Sequence, residues 1–239
     1  MLNKQLTKIK INYMYKTTIS ILALSVIAST LAAQSSSVTV SGLYVYPDAD
    51  SSIEANLDAS ADLDDAPGLS IEWRTSPFAD SPFTLGLEYM YFGTEADASG
   101  IVDQDTADFV NQTFGTAFAA GDTEIKEEYD VHGGMLNLGY DIVVTDEITA
   151  YLGVGVGFAH FNQEFSLKNA GQSVSDDDSD VVFAYQFKAG ARYALNDAWA
   201  ITGGVRYIGY DDPEFKYGDT TLSGDVSALA VELGLSCSF

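Results

Sequence analysis

From Val226 to Phe239 the chain alternates at period two, with Leu229, Val231, Leu233, Leu235, Cys237 and Phe239 on one face. Ala228, Ala230, Glu232, Gly234, Ser236 and Ser238 fall on the other. This pattern predicts a strand with one apolar face. Seven earlier stretches read the same way. Val38 to Tyr46 puts Val38, Val40, Tyr44 and Tyr46 in phase; Gly68 to Arg74 does so with Leu69, Ile71 and Trp73, and Phe83 to Phe92 with Phe83, Leu85, Leu87, Tyr89 and Tyr91. In the fourth stretch Ile125, Tyr129 and Val131 have odd parity while Leu136, Leu138 and Tyr140 have even parity. Gly133 and Gly134 lie between them, and glycine inside a strand commonly marks a bulge, so a register shift is expected there.

The fifth stretch, Tyr151 to Phe158, sets Gly153, Gly155 and Gly157 opposite an apolar face, as a narrow interior requires. A phosphate cradle would need a tight glycine loop entering a helix, whereas these glycines keep strand period. Val181 to Leu195 exposes Phe183, Tyr185, Phe187 and Tyr193, and Trp199 to Tyr210 exposes Trp199, Ile201, Val205 and Tyr207. The connections between the eight stretches alternate long and short. The prediction is therefore all-β: an eight-stranded antiparallel transmembrane up-and-down β-barrel with four long acidic outer loops and short periplasmic turns. A spanning strand needs only ~9 to 11 residues, alternately apolar, so a near-neutral mean hydropathy does not argue for a soluble domain. Tyr and Trp at the strand ends fit two aromatic girdles.

At the N-terminus Lys4, Lys8, Lys10 and Lys16 precede an apolar run, Ile19 to Leu31, that ends at Ala32 and Ala33. Residues 1–33 read as a signal peptide cleaved near Ala32 or Ala33, with the barrel over 34–239. Met14 would also open a compact leader, so the start codon is either Met1 or Met14. All 35 acidic residues lie beyond Ala33, and four of the 11 basic ones before it, so the mature chain is more acidic than the net −24 of the whole. That charge excludes a nucleic-acid partner. The single cysteine, Cys237, excludes an internal disulfide framework and reads as a small apolar residue on the lipid face.

The runs Met135-Leu136-Asn137-Leu138-Gly139-Tyr140-Asp141, Ala150 to Phe158, Gly190-Ala191-Arg192-Tyr193 and Gly204-Val205-Arg206-Tyr207, with the terminal Phe239, resemble the small OmpA/OmpX/opacity-type barrels over nearly the whole mature chain. The resemblance implies a bacterial outer-membrane location in a Gram-negative cell, among membrane lipid and lipopolysaccharide. It also implies that Leu233, Leu235 and Phe239 form the signal read by the barrel assembly machinery. The family includes adhesins and structural barrels, so it specifies fold more closely than activity. The chain ends with its barrel, so a periplasmic peptidoglycan-anchoring role is not carried over.

The inward parity holds Glu72, Glu88 and Glu232 against Lys188, Arg192 and Arg206. Charges removed from water persist when paired, so these six are expected to form an ion-pair cluster in the lumen, with Glu232 answering Lys188 and Arg206. One reading is structural filling; the other is a narrow gated conduit for ions or small solutes. The outer segments hold 24 of the 35 acids, opposed by Lys168 and Lys216. They read as a solvated, repulsive surface able to screen itself with divalent cations. Asp176, Asp177, Asp178 and Asp180 are weak calcium candidates without EF-hand spacing, so no dedicated metal site and no cofactor are expected. Asp105 to Ala120 spaces Phe109, Val110, Phe114, Ala117 and Phe118 as a short amphipathic helix. Its Phe109, Phe114 and Phe118 either pack over the barrel mouth or present a recognition surface for an extracellular ligand. A rim enzyme acting on lipid A would have to use His132 or His160, yet no Ser lies within two residues of either. The expected function is non-enzymatic: a structural or adhesin-like barrel working through its outer end.

Overall fold

The computed structural model describes residues 36–51, 63–77, 81–102, 104, 107–108, 111–112, 118–169, 172–217 and 220–239. The leader assigned to 1–33 lies outside them. Alternation produces strands throughout: β1 (Ser36–Ser51), β2 (Ala66–Thr75), β3 (Phe83–Val102), β4 (Gly121–Val143), β5 (Ile148–Asn169), β6 (Gln172–Ala194), β7 (Trp199–Tyr210), β8 (Glu214–Tyr217) and β9 (Thr220–Ser238). Eight of them pair antiparallel in the order β1-β2-β3-β4-β5-β6-β7-β9, and β9 returns to pair with β1, so the ring closes without a free edge. The seam runs to the last residue, where Ser36 and Phe239 exchange backbone hydrogen bonds of 3.2 and 2.9 Å. The ninth strand, β8, lies outside the ring and pairs only with the start of β9.

The short connections are built by local side-chain acceptors. In the β4–β5 turn Thr145 Oγ1 accepts from the backbone N–H groups of Glu147 and Ile148 at 3.2 and 3.0 Å. In the β6–β7 turn Asn196 Oδ1 accepts from Ala198 and Trp199, both at 3.0 Å. These side chains replace ladder partners that the reversal removes.

At the opposite end the strands run much farther than the alternation predicts. Gly93 to Val102, Gly121 to Glu124, Asn162 to Asn169 and Gln172 to Asp180, expected in long loops, continue β3, β4, β5 and β6 as ladders. Polar side chains do not prevent this, because the backbone groups satisfy one another whatever faces water. β4 has 23 residues, about twice the ~9 to 11 needed to cross a bilayer. The barrel therefore stands well clear of its apolar belt.

The bulge expected at Gly133-Gly134 is absent. β4 pairs with β3 from Val102↔Gly121 to Phe83↔Tyr140, and with β5 from Thr123↔Asn169 to Val143↔Thr149, without a slip. What changes is the environment on each face. Near the short-turn end the outside is apolar, with Leu136, Leu138 and Tyr140, and the inside polar, with Asn137. Farther up the inside is apolar and the outside polar: Val131 and Met135 are buried, whereas Glu128 and Asp130 are exposed. A change of solvent outside and of filling inside inverts the apolar phase in a straight strand.

The interior thus has two layers. An apolar plug in the upper half joins Leu43, Val45, Met90, Phe92, Val131, Met135, Phe161, Val182, Ile208 and Tyr210, and Phe215 of β8 reaches into it. Asp180 Oδ2 and Asp178 Oδ2 accept the backbone N–H groups of Glu214 and Lys216 at 2.9 and 2.6 Å, fixing β8 over β6. The lower half is polar. Gly155 leaves the space taken by the amides of Asn137 and Gln186.

Candidate functional site

The charged lumen lies on inward positions of seven ring strands. β2 supplies Glu72 and Arg74, β3 Glu88, β4 Asn137 and Asp141, β5 Tyr151, β6 Gln186, Lys188 and Arg192, β7 Arg206, and β9 Glu232. Lys188 donates to Glu72 Oε2 at 3.1 Å and to Glu88 Oε2 at 3.3 Å. Arg206 donates through Nη1 to Glu88 Oε1 at 2.7 Å, and through Nε to Glu232 Oε2 at 3.0 Å, with Nη2 on the same carboxylate oxygen. Glu232 is completed by the Tyr151 hydroxyl, which donates to Oε1 at 2.6 Å.

Two amides tie the carboxylates together. Asn137 Nδ2 donates to Glu72 Oε1 and Glu88 Oε2, both at 2.9 Å, and Gln186 Nε2 donates to Glu88 Oε2 at 2.8 Å and Asn137 Oδ1 at 2.7 Å. Glu88 thereby receives Lys188, Arg206, Asn137 and Gln186 together and is the hub of the cluster. It is 2% exposed and Arg206 1%, so each depends on its partners in place of water.

Of the six residues expected in the cluster, five meet there: Glu72, Glu88, Lys188, Arg206 and Glu232. Lys188 pairs with Glu72 and Glu88, not with Glu232 as expected. Arg192 lies nearer the short-turn end and pairs with Asp141. Two residues that the sequence reading left out complete this lower tier: Arg74 bonds Glu72 at 3.3 Å, approaches Asp141 at 3.5 Å and covers the Tyr151 ring at 5.2 Å. Their signal was present in parity, since Arg74 shares the phase of Glu72 and Asp141 that of Asn137. Arg74 is the last residue of its predicted strand and Asp141 falls in the turn expected after the fourth, where alternation assigns no face. With them, among the described residues, the lumen balances four cations against four carboxylates. A polar cavity of about 10 Å³ remains among these side chains, enough for about one water.

The other expected sites are placed as follows. Leu233 and Leu235 are exposed on the outer face of β9, and Phe239, the residue after its end, is exposed as well. Gln104, Ala107, Asp108, Asn111 and Gln112 are helical; the last four fall within the segment read as a helix, Asp105 to Ala120, and Gln104 lies just before it. Phe109 and Phe114 lie outside the described residues; Phe118 is buried, and its backbone N–H and C=O are both bound by the Asn111 amide, at 2.6 and 2.9 Å. Asp176 and Asp177 remain apart from β8, while Asp178 and Asp180 hold it as described. Among the described residues no group of three His, Cys, Asp or Glu side chains is arranged to hold a metal ion. His132 and His160 face outward, directly opposite each other across β4 and β5.

Residues 18–239 match the family described as outer membrane protein beta-barrel domain. Solved structures of small outer-membrane barrels share the fold. OprG from Pseudomonas aeruginosa aligns with a TM-score of 0.57 at 16% identity, covering 87% of this chain and 96% of its own. Neisserial surface protein A aligns at 0.46 and 13% identity, covering 85% and 97%, and AlkL at 0.46 and 20%, covering 86% and 90%. No curated protein sequence matches the chain.

Proposed function

We propose, for a chain that belongs to the outer membrane protein beta-barrel domain family, a non-enzymatic role at the cell surface. The barrel is a closed, rigid scaffold, structural or adhesin-like, that presents an acidic outer end. The observation that carries this reading is the pairing of a sealed lumen with strands that continue beyond the apolar belt. Below, all four cations of the lumen are engaged by carboxylates; above, the apolar plug closes the bore. An ion crossing would lose water at both levels, and a buried charge without compensation costs several kcal/mol. This weighs against the conduit.

The outer face of the projecting strands carries Glu95, Asp122, Glu124, Glu128, Asp130, Glu164 and Asp177, all exposed. Two cations are set among them: Lys126, held by Glu95 at 3.0 Å and Glu128 at 2.6 Å, and Lys168, the register partner of Glu124. Such a field attracts cationic ligands and divalent ions and repels polyanions. On the rim, His132 faces the Tyr89 hydroxyl, with no serine in its hydrogen bonds, so the arrangement supports no histidine-activated serine.

Planar-bilayer recording and a surface-binding assay test the proposal together. The reconstituted chain should give no reproducible unitary conductance, and vesicles carrying it should bind a cationic peptide in a salt-sensitive manner. Replacing Glu124, Glu128, Glu164 and Asp177 by their amides should abolish that binding. A steady open level that shifts on neutralising Lys188 or Arg206 would refute the closed-scaffold reading.

A further inference from the structure

We propose that His132 and His160 form a chelating site for a divalent transition-metal ion of the zinc, copper or nickel class on the outer face of the barrel. The two residues are direct register partners on β4 and β5, and their ring centres are 6.5 Å apart. They sit where the outer face changes from apolar to acidic. Below them on the same faces are the exposed Leu136 and Phe158; above are Asp130 and Asn162, themselves paired across the strands.

His132 is the fixed arm. The Tyr91 ring packs 4.9 Å from it, and Tyr89 Oη lies 2.8 Å from its Nδ1. A hydroxyl can accept as well as donate, so Tyr89 Oη can accept a hydrogen bond from Nδ1–H and leave the Nε2 lone pair free for a metal. An outer partner that fixes the ring and its tautomer is the usual companion of a metal-binding histidine. His160 is the movable arm, since its ring makes no hydrogen bond among the described residues. Metal–nitrogen distances of ~2.0–2.1 Å place two imidazoles on one tetrahedral ion with centres roughly 5 Å apart. A side-chain rotation of His160 closes the remaining distance without moving the ladder.

Asp130 adds charge. Tyr91 donates to its Oδ1 at 2.7 Å, which holds the carboxylate beside the pair with the second oxygen unclaimed. The protein donors are the two imidazoles, so water or a lipid phosphate oxygen completes the shell. Imidazole donors select borderline ions over calcium and magnesium, which take oxygen. This separates the pair from the general acidity of the surface.

The test is titration of the full chain, folded in detergent micelles, with zinc chloride and with copper(II) chloride, followed by calorimetry and by electron paramagnetic resonance. One saturable site per chain that persists in excess calcium, with nitrogen splitting from two imidazoles on copper, is expected. H132Q and H160Q should each remove the site, and Y89F should weaken it about tenfold through loss of the outer partner. A control with Asp176, Asp177, Asp178 and Asp180 all changed to Asn should leave it intact. Circular dichroism and heat-modifiable migration establish that each variant is folded. No saturable site in the native chain, unaltered affinity in the folded H132Q/H160Q double variant, or equal competition by calcium would overturn the proposal.

Discussion

Lys188 and Arg206 stand directly opposite each other across β6 and β7, both pointing into the lumen. Like charges so placed repel, and the arrangement holds because Glu88 lies against both, 3.3 Å from Lys188 Nζ and 2.7 Å from Arg206 Nη1. Glu72 and Glu232 each serve one of the two cations. The burden of neutralisation is therefore unequal.

Glu88→Gln should be the most damaging single change among these carboxylates. It leaves two buried cations short of a partner, and breaking a buried pair in this way costs roughly 3–5 kcal/mol. Glu232→Gln, which of these two cations weakens only Arg206 and leaves the Tyr151 hydroxyl an amide oxygen to donate to, should cost less. Urea unfolding of both variants in lipid vesicles, followed by tryptophan fluorescence, checks the order. Equal midpoints would mean that Glu88 is no hub.

Gly134 and Gly157 make a sharper contrast than their shared lack of a side chain suggests. They lie on β4 and β5 one register step apart, Gly134 opposite Phe158 and Gly157 opposite Met135; a Cβ on Gly157 would collide with the backbone oxygen of Gly134, whereas one on Gly134 meets nothing within 4 Å. Gly157→Ala should push the strands apart and lower the yield of folded barrel severalfold, while Gly134→Ala should fold like the native chain. Gel migration with and without boiling measures both.

How far the sequence could be read depended on what each face of a strand met. Within the bilayer, lipid outside and charge inside give clean alternation, so the strands around Leu85, Val154 and Phe187 were legible, as were six of the eight charged lumen residues. Above it, Val131 and Phe161 turn inward while Lys126 and Glu164 turn out, and the same period carries the opposite phase. Read without knowing where the membrane stops, that inversion suggests a bulge, and polar ladders such as Asn162 to Asn169 with Gln172 to Asp180 suggest loops. The plug around Met90 and Ile208 was illegible for the same reason, since its members lie on faces already assigned to a polar lumen. The pairing of Lys188 depends on the register between distant strands, which no single strand reveals.

Asp212 and Asp225 provide a pH test at the outer end. Their hydrogen bond, and then the charge of Asp225, hold the Asp212 carboxyl above its ordinary range. A carboxyl whose folded pKa exceeds the unfolded value, about 3.9, favours folding in its protonated form. That contribution is complete below the unfolded pKa and is lost as pH rises through the folded one. At neutral pH the two carboxylates repel beside the start of β8. Asp212→Asn supplies a permanent donor, so amides of Glu214 to Lys216 should exchange more slowly than in the native chain at pH 7. The difference should vanish near pH 4; a benefit independent of pH would show that repulsion is not its cause.

Phe239 separates stability from assembly. Its backbone closes the seam with Ser36 through two hydrogen bonds, each worth about 0.5–1.5 kcal/mol net, and its ring is 68% exposed on the lipid side. Deleting it should therefore lower stability only modestly, and the purified variant should refold into detergent or lipid in nearly normal yield. If Leu233, Leu235 and Phe239 form the signal read during insertion, the same deletion should cut the amount of barrel reaching the outer membrane of living cells many-fold. Glu232→Gln should do the reverse, because its carboxylate serves the lumen and lies on the other face: insertion proceeds, and the inserted barrel yields to urea earlier. Measuring membrane-inserted protein in cells and unfolding midpoints in vesicles for both variants gives four numbers. Parallel losses in both assays would show that the two faces of β9 are not divided between assembly and stability.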